Sequence, residues 1–194
     1  MKRKKLNLEY HKYLKSHSFI GKIYKKYCLH KFLLKYSGKD FLDVGCGIGS
    51  FLFSGSEKAL GLDVNEYNVN YINKNGLKAK LIPNNGIFPI SDRSYESIVC
   101  DQVLEHIKDP TLFLNEINRV IKTPGKLILG LPLEKGYKSD KDHCNFYTPK
   151  KAIKLIECNT RLVHERTIYY PLPLKIFGKF FKQQFFYLLF KTLN

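Results

Sequence analysis

Short apolar runs alternate with helical patterns through most of this chain, and that alternation constrains its fold more than any other feature. Residues 41–44, 59–64, 79–82, 97–100 and 126–131 each read as a strand, and 161–170 as a sixth. Helical signals lie between them. Asn65-Glu66 caps a helix running to about residue 73, because an asparagine side chain accepts the orphan amides of a first turn. Asp109-Pro110 places an N-cap and an N1 proline before Leu112, Phe113, Ile117, Val120 and Ile121, which share one helical face, and Thr123-Pro124-Gly125 stops that helix. Thr148-Pro149 repeats the start signal for a helix through Cys158. Strands alternating with helices imply parallel βαβ units, so the expected class is α/β with a doubly wound, mainly parallel sheet. Ahead of it, residues 7–36 read as helix broken near Ser16 and Ser18 and closed at Ser37-Gly38.

At 194 residues and 44% hydrophobic content the chain can bury a core, and its length suits one domain. The formal charge of +16 is unevenly placed. Residues 1–40 hold 12 Lys and Arg against Glu9 and Asp40, and residues 171–194 hold four Lys and no acid. The remaining stretch is nearly neutral, so the basicity belongs to the flanks, as in a nucleic-acid enzyme with basic arms or a protein of membrane surfaces. Five cysteines (Cys28, Cys46, Cys100, Cys144, Cys158) never form a C-x-x-C pair, which argues against a disulfide framework or zinc ribbon and for reduced thiols in a cytosol. The basic start lacks the apolar core of a signal peptide, and no apolar stretch is long enough to span a bilayer. The Lys-, Ile- and Asn-rich usage points to an AT-rich bacterial source.

In an open α/β sheet a ligand sits at the carboxyl ends of the strands. There the first strand gives way to Gly45-Cys46-Gly47-Ile48-Gly49-Ser50. Glycines let the chain turn tightly and let a ligand approach the backbone, although a ligand-free turn would use them too. A nicotinamide dinucleotide fingerprint wants glycine where Ser50 stands, which disfavours that cofactor. Asp63 ends the second strand; a carboxylate there can accept both hydroxyls of a ribose, or cap the next helix. A glycine-rich turn with an acidic strand end points to an adenosine-containing ligand.

From about Asp40 to Tyr170 the sequence resembles the class I S-adenosylmethionine-dependent methyltransferases, in their small-molecule (type 11-like) branch. Five stretches carry the resemblance: Phe41-Leu-Asp-Val-Gly-Cys-Gly-Ile-Gly, Leu60-Gly-Leu-Asp63, Phe88-Pro-Ile-Ser-Asp-Arg-Ser-Tyr-Glu-Ser-Ile, Gln102-Val-Leu-Glu-His-Ile-Lys-Asp-Pro110 and Glu116-Ile-Asn-Arg-Val-Ile-Lys-Thr-Pro-Gly-Lys-Leu. It implies a Rossmann-like class I methyltransferase fold over 39–170, N-terminal helices over 1–38 that can act as a lid, and S-adenosylmethionine as cofactor. Asp43, Gly45, Cys46 and Gly47 would line its methionine end, and Asp63 with Val64 its ribose. Where the family usually has an aspartate for the adenine amino group this chain has Asn84, with Asn85 as the other register; an amide oxygen still accepts that bond, without charge. Gln102 would face the sulfonium.

Methyl transfer is an in-line displacement, and an alcohol or phenol acceptor gains from a general base, for which neutral histidine serves near pH 7. The first candidate is His143, in the loop Asp142-His-Cys-Asn-Phe-Tyr147, unless it merely anchors that loop; the second is His106. Relatives that O-methylate quinone precursors carry two Glu and a His where this chain has Gln102, Glu105 and His106, so no metal is expected. Tyr147 and Lys151 mimic a dehydrogenase dyad by coincidence of spacing, and Cys100-Asp-Gln-Val103 matches no nucleic-acid methylase motif.

Residues 171–194 read in two ways. On a helix Lys175, Lys179 and Lys182 fall in one stripe opposite Leu174, Phe177, Phe181, Phe185 and Leu188, a basic amphipathic C-terminal segment suited to an anionic membrane surface. Alternatively the segment completes the sheet, since the seventh strand is otherwise hard to place. The expected function is O-methylation of a small-molecule, glycan or lipid-linked acceptor by a cytoplasmic enzyme, peripheral at the inner face of the membrane. The competing reading is an RNA-binding methyltransferase, or a binding module that has lost catalysis, holding phosphate on its basic N-terminal helices.

Overall fold

The computed structural model describes residues 2–15, 25–182 and 184–193, which fall into two compact units, Met1–Ile90 and Ser91–Asn194.

The first unit holds α1 (Lys2–Lys15), a π-helical turn (Lys25–Leu29), α2 (His30–Ser37), β1 (Leu42–Val44), β2 (Leu60–Asp63), α3 (Glu66–Lys74) and β3 (Ala79–Leu81). Its strands run parallel in the order β3-β2-β1, with Leu42 beside Leu60 and Gly61 beside Ala79. Every residue of β1 and β2 is buried, as the continuous apolar runs of a parallel sheet covered on both faces require. Phe41 stacks on Phe51 at 4.3 Å beneath this layer. Asn65 caps α3 as expected, its side-chain oxygen accepting the Tyr67 amide at 3.0 Å. Gly38, at φ 71°, closes α2 and donates to the Leu34 carbonyl. The helical reading of 7–36 is extended forward to Lys2, while the expected break near Ser16 lies outside the described residues. Two contacts fasten α1 to the start of α3: Asn65 Nδ2 donates to the Asn7 carbonyl at 2.8 Å, and the buried His11 Nδ1 meets Asn68 Oδ1 at 2.9 Å.

The second unit holds β4 (Tyr95–Asp101), α4 (Thr111–Val120), β5 (Ile121–Pro132), α5 (Glu134–Lys138), α6 (Pro149–Asn159), β6 (Leu162–Tyr170) and β7 (Phe185–Thr192), with strands in the order β4-β5-β7-β6. β4 and β5 are parallel; β7 is antiparallel to β5 and β6. Asp109 still serves the start of α4, accepting the Thr111 amide and hydroxyl, but the first helical residue is Thr111, one later than the proline signal implies. Of the two readings of 171–194, the amphipathic helix does not form. Only Lys175–Lys179 coil into a short 3-10 turn, and Phe185–Thr192 is a strand between two others. Such a strand must be apolar on both faces, and Phe186, Tyr187, Leu188 and Phe190 are all fully buried. The segment therefore completes the sheet. No helix among the described residues is long and apolar enough to cross a membrane.

Candidate functional site

In the first unit the candidate cofactor residues stand at the carboxyl ends of the parallel strands. Beyond Val44 the chain passes through Gly45, Gly47 and Gly49 at φ 78°, 56° and 74°, a region that residues with a Cβ enter only under strain. The amides of Gly45 and Cys46 both donate to the Leu62 carbonyl, at 2.7 and 3.0 Å, which ties the turn to β2. A Cβ at Gly49 would stand 2.8 Å from Ile72 Cγ1, so glycine also lets α3 lie close. A Cβ at Gly47 would stand 3.4 Å from Leu14 Cδ1, so α1 passes over the turn.

Asp63 is the hinge of this arrangement. Its Oδ2 accepts the Gly47 amide at 2.8 Å and its Oδ1 the Asn65 amide at 2.7 Å, so one carboxylate at the end of β2 is fixed to the glycine turn that follows β1. Burial pushes its pKa up while those backbone amides pull it back. Asp43 is buried in β1 beside it in sequence register with Gly61. The Cys46 thiol is pushed well above its ordinary value by burial and by the Asp43 and Asp63 charges, so it packs as a neutral thiol. Val64 is exposed just past Asp63. Asn84 and Asn85 lie exposed on the turn after β3, tethered by the Ile82 amide donating to the Asp63 carbonyl at 2.9 Å. A bare-backbone turn, a fixed carboxylate and two amide side chains on neighbouring strand ends fit a cofactor with a ribose and an adenine.

In the second unit β4 gives way to Gln102, whose φ of 58° is uncommon for a residue with a side chain. Its amide donates to the Gly130 carbonyl at 3.0 Å, while its buried Nε2 has no hydrogen-bond partner among the described residues. Three residues on, Glu105 is 1% exposed and neither carboxyl oxygen has a hydrogen-bond partner among the described residues. The loop carrying His143 is stitched over it: Cys144 and Asn145 amides donate to the Glu105 carbonyl at 2.7 and 3.1 Å, and Asn145 Nδ2 donates to the Ile107 carbonyl at 2.8 Å. His143 Nδ1 lies 2.8 Å from the Tyr137 carbonyl and His106 Nδ1 lies 3.3 Å from the Asp142 carbonyl. A carbonyl only accepts, so each Nδ1 carries the proton. His143 Nε2 then faces Glu105 Oε1 at 3.9 Å. The two rings meet edge to face at 4.6 Å.

Both histidines singled out from the sequence therefore share one cluster, joined by Glu105. Ligating atoms of Glu105, His106 and His143 lie within 4.8 Å of one another, a set that could hold a cation. Burial raises the Glu105 pKa to about 8, and burial and then His143 lower that of His106, so each favours its neutral form. The His143 side chain is 7% exposed, and both histidines are half-buried as whole residues. Sequence spacing alone misses the approach of residue 143 to residue 105, because it depends on a loop folding back over a turn nearly forty positions earlier.

Known proteins share the fold. Geranyl diphosphate C-methyltransferase from Streptomyces coelicolor, solved in complex with Mg2+, geranyl diphosphate and S-adenosyl-L-homocysteine, matches with a TM-score of 0.70 at 13% identity, over 87% of this chain and 81% of that one. The fold is that of the class I S-adenosylmethionine-dependent methyltransferases, α/β and Rossmann-like. Residues 42–129 match the family model described as Methyltransferase domain. A protein of Methanocaldococcus jannaschii described as uncharacterized is 36% identical over 95 residues, 47% of this chain and 40% of its own length. A ubiquinone biosynthesis O-methyltransferase of Xanthomonas oryzae is 31% identical over 107 residues, 50% of this chain and 44% of its own length. The chain spans about half the length, or less, of the curated relatives it matches.

Proposed function

We propose that the protein transfers the methyl group of S-adenosylmethionine to an oxygen of a small-molecule, glycan or lipid-linked acceptor. The observation that carries this reading is the bond from the Gly47 amide to Asp63 at 2.8 Å, which joins the glycine turn and the acidic strand end into one preformed cradle. In it Asp43, Gly45, Cys46 and Gly47 line the methionine end, and Asp63 takes the ribose hydroxyls beside Val64. The amide oxygen of Asn84 or Asn85 takes the adenine amino group. Gln102, just past β4 in the second unit, has a strained backbone and a buried amide donor with no hydrogen-bond partner among the described residues. α1, with Leu14 over Gly47, acts as the lid that shields this end from water.

The cofactor supplies a methyl group already activated by positive sulfur. The chain supplies alignment, which contributes on the order of 7–11 kcal/mol where the geometry is good. The acceptor proton passes to the His106–His143 pair, entering at His106. Burial keeps His106 neutral, so its Nε2 can accept. Oxygen as the methylated atom is supported by the O-methyltransferase among the relatives.

The test is incubation of purified protein with methyl-labelled S-adenosylmethionine and a panel of catechols, nucleotide sugars and lipid extract, with and without EDTA. The expected product is an alkali-stable methyl ether, formed equally in EDTA. Label entering added RNA, or cofactor binding without transfer to any acceptor, would replace this reading by the nucleic-acid or non-catalytic one. Activity lost in EDTA and restored by a divalent cation would instead make Glu105, His106 and His143 ligands.

A further inference from the structure

The connection between β6 and β7 is an exposed apolar surface that the chain goes to some trouble to hold in place. Within ten residues it presents Leu172, Leu174, Ile176, Phe180 and Phe181, the last four each more than half exposed. A flexible loop would tuck such side chains away, but this one is braced. Gln184, fully buried, closes its base: Nε2 donates to the Leu172 carbonyl at 2.5 Å and Oε1 accepts the Leu172 amide at 3.3 Å. Gly178 seats the 3-10 turn so tightly on Leu133 that a Cβ there would collide with that side chain. Lys135 of α5 donates to the Phe180 carbonyl at 2.8 Å. The platform is fixed from below, and its apolar side chains are left outward.

Its charge is of one sign. Lys175, Lys179 and Lys182 are exposed among the apolar side chains, and no acid occurs between 171 and 194. Glu134 beneath is already paired to Lys138 at 2.6 Å. A second copy of the chain docking here would set lysines against lysines, whereas a surface of lipid phosphates meets both features at once. Apolar side chains ringed by lysines are what an interfacial anchor needs: hydrocarbon to enter the headgroup boundary and cations to meet anionic lipid.

We propose that the β6–β7 connection docks the protein on an anionic bilayer surface, with Leu174, Ile176, Phe180 and Phe181 entering the headgroup boundary and Lys175, Lys179 and Lys182 contacting lipid phosphates. This goes beyond the methyl-transfer reading and does not depend on it. Docking would bring a lipid-linked acceptor to the enzyme by confining both to one surface.

The test is flotation of the purified full chain with vesicles of phosphatidylcholine alone, or of phosphatidylcholine and phosphatidylglycerol in equal parts, at low and high salt. Wild type is expected to float with the mixed vesicles only, and to be weakened but not released by salt. The variant Phe180→Ser with Phe181→Ser loses the salt-resistant part. Replacing the three lysines by glutamine lowers binding on the order of a hundred-fold, at roughly five-fold per lysine near the surface. Both variants should keep the wild-type melting temperature, because the altered side chains are exposed. Failure of wild type to float would overturn the proposal, as would flotation unchanged in both variants or equal binding to neutral vesicles. Phenylalanine-dependent dimerisation without flotation would assign the surface to a second copy. Cofactor titration of the same samples without vesicles separates failure of docking from failure of the methyltransferase reading.

Discussion

Replacing Glu105 by glutamine should stabilise the protein, increasingly so as the pH rises. Glu105 is 1% exposed, neither carboxyl oxygen has a hydrogen-bond partner among the described residues, and burial raises its pKa from 4.5 to about 8. Nearby Asp101 and Asp140 add like charge in the same direction. A raised carboxyl pKa means that the folded protein keeps a proton that the unfolded chain releases between about pH 4.5 and about 8, so stability falls as pH climbs through that window. From those two values the cost is roughly 1 kcal/mol at pH 5, about 3 kcal/mol at pH 7 and about 5 kcal/mol by pH 9. Glutamine has nearly the same shape and no charge. Guanidinium unfolding of both proteins near pH 5, 7 and 9, with EDTA present, reads the difference directly; His106 titrates in both and largely cancels. Near-equality at pH 5 with a growing advantage for Glu105→Gln is the expected result. A variant less stable at every pH, or a difference independent of pH, would refute the account of a buried neutral carboxyl.

Three further outcomes follow from local geometry. Arg119→Ala should cost about 3 kcal/mol in the same assay, because the guanidinium forks onto the buried Glu116 at 2.8 and 2.6 Å and also reaches Asp92 at 2.6 Å, and the substitution removes all three of these charge-assisted bonds; a loss below about 1 kcal/mol would contradict this. Gly49→Ala forces a side chain into the left-handed region and against Ile72, so a drop of at least about 1–2 kcal/mol with weakened cofactor binding is expected, and unaltered melting would refute the tight packing of the turn. If His106 accepts the proton, kcat/KM falls only as pH drops below a pKa that burial holds under 6.5, and His106→Gln abolishes that limb; a profile that ends near 8 in both proteins would point elsewhere.

The parts legible in sequence are those whose residues serve local needs. β1 and β2 are short and buried on both faces, so their apolar runs stand out, and the glycines between them are demanded by backbone angles within a few residues. The Asn65 cap acts two residues away and is equally visible. β7 was ambiguous because Phe-Phe-Tyr-Leu-Leu-Phe is apolar at every position, and such a run has no period to tell strand from helix; its partners β5 and β6 decide it. The acceptor-side cluster is less legible still. Gln102, Glu105 and His106 are neighbours in sequence, but His143 joins Glu105 and His106 through a loop whose Cys144 and Asn145 amides hydrogen-bond to the Glu105 carbonyl. That the Glu105 carboxyl is buried without a hydrogen-bond partner among the described residues follows from tertiary packing alone.

The central claim is that Asp63 and the glycine turn form the cradle of S-adenosylmethionine. Calorimetric titration of the purified protein with S-adenosylmethionine, beside Asp63→Ala, tests it most directly. Two charge-assisted bonds to the ribose, at about 1.5–3 kcal/mol each, predict micromolar binding in wild type and a loss on the order of a hundred-fold or more in the variant. Melting of the ligand-free variant shows separately how much the Gly47 and Asn65 amides lose. No binding by wild type, or equal binding by a folded variant, would contradict the account.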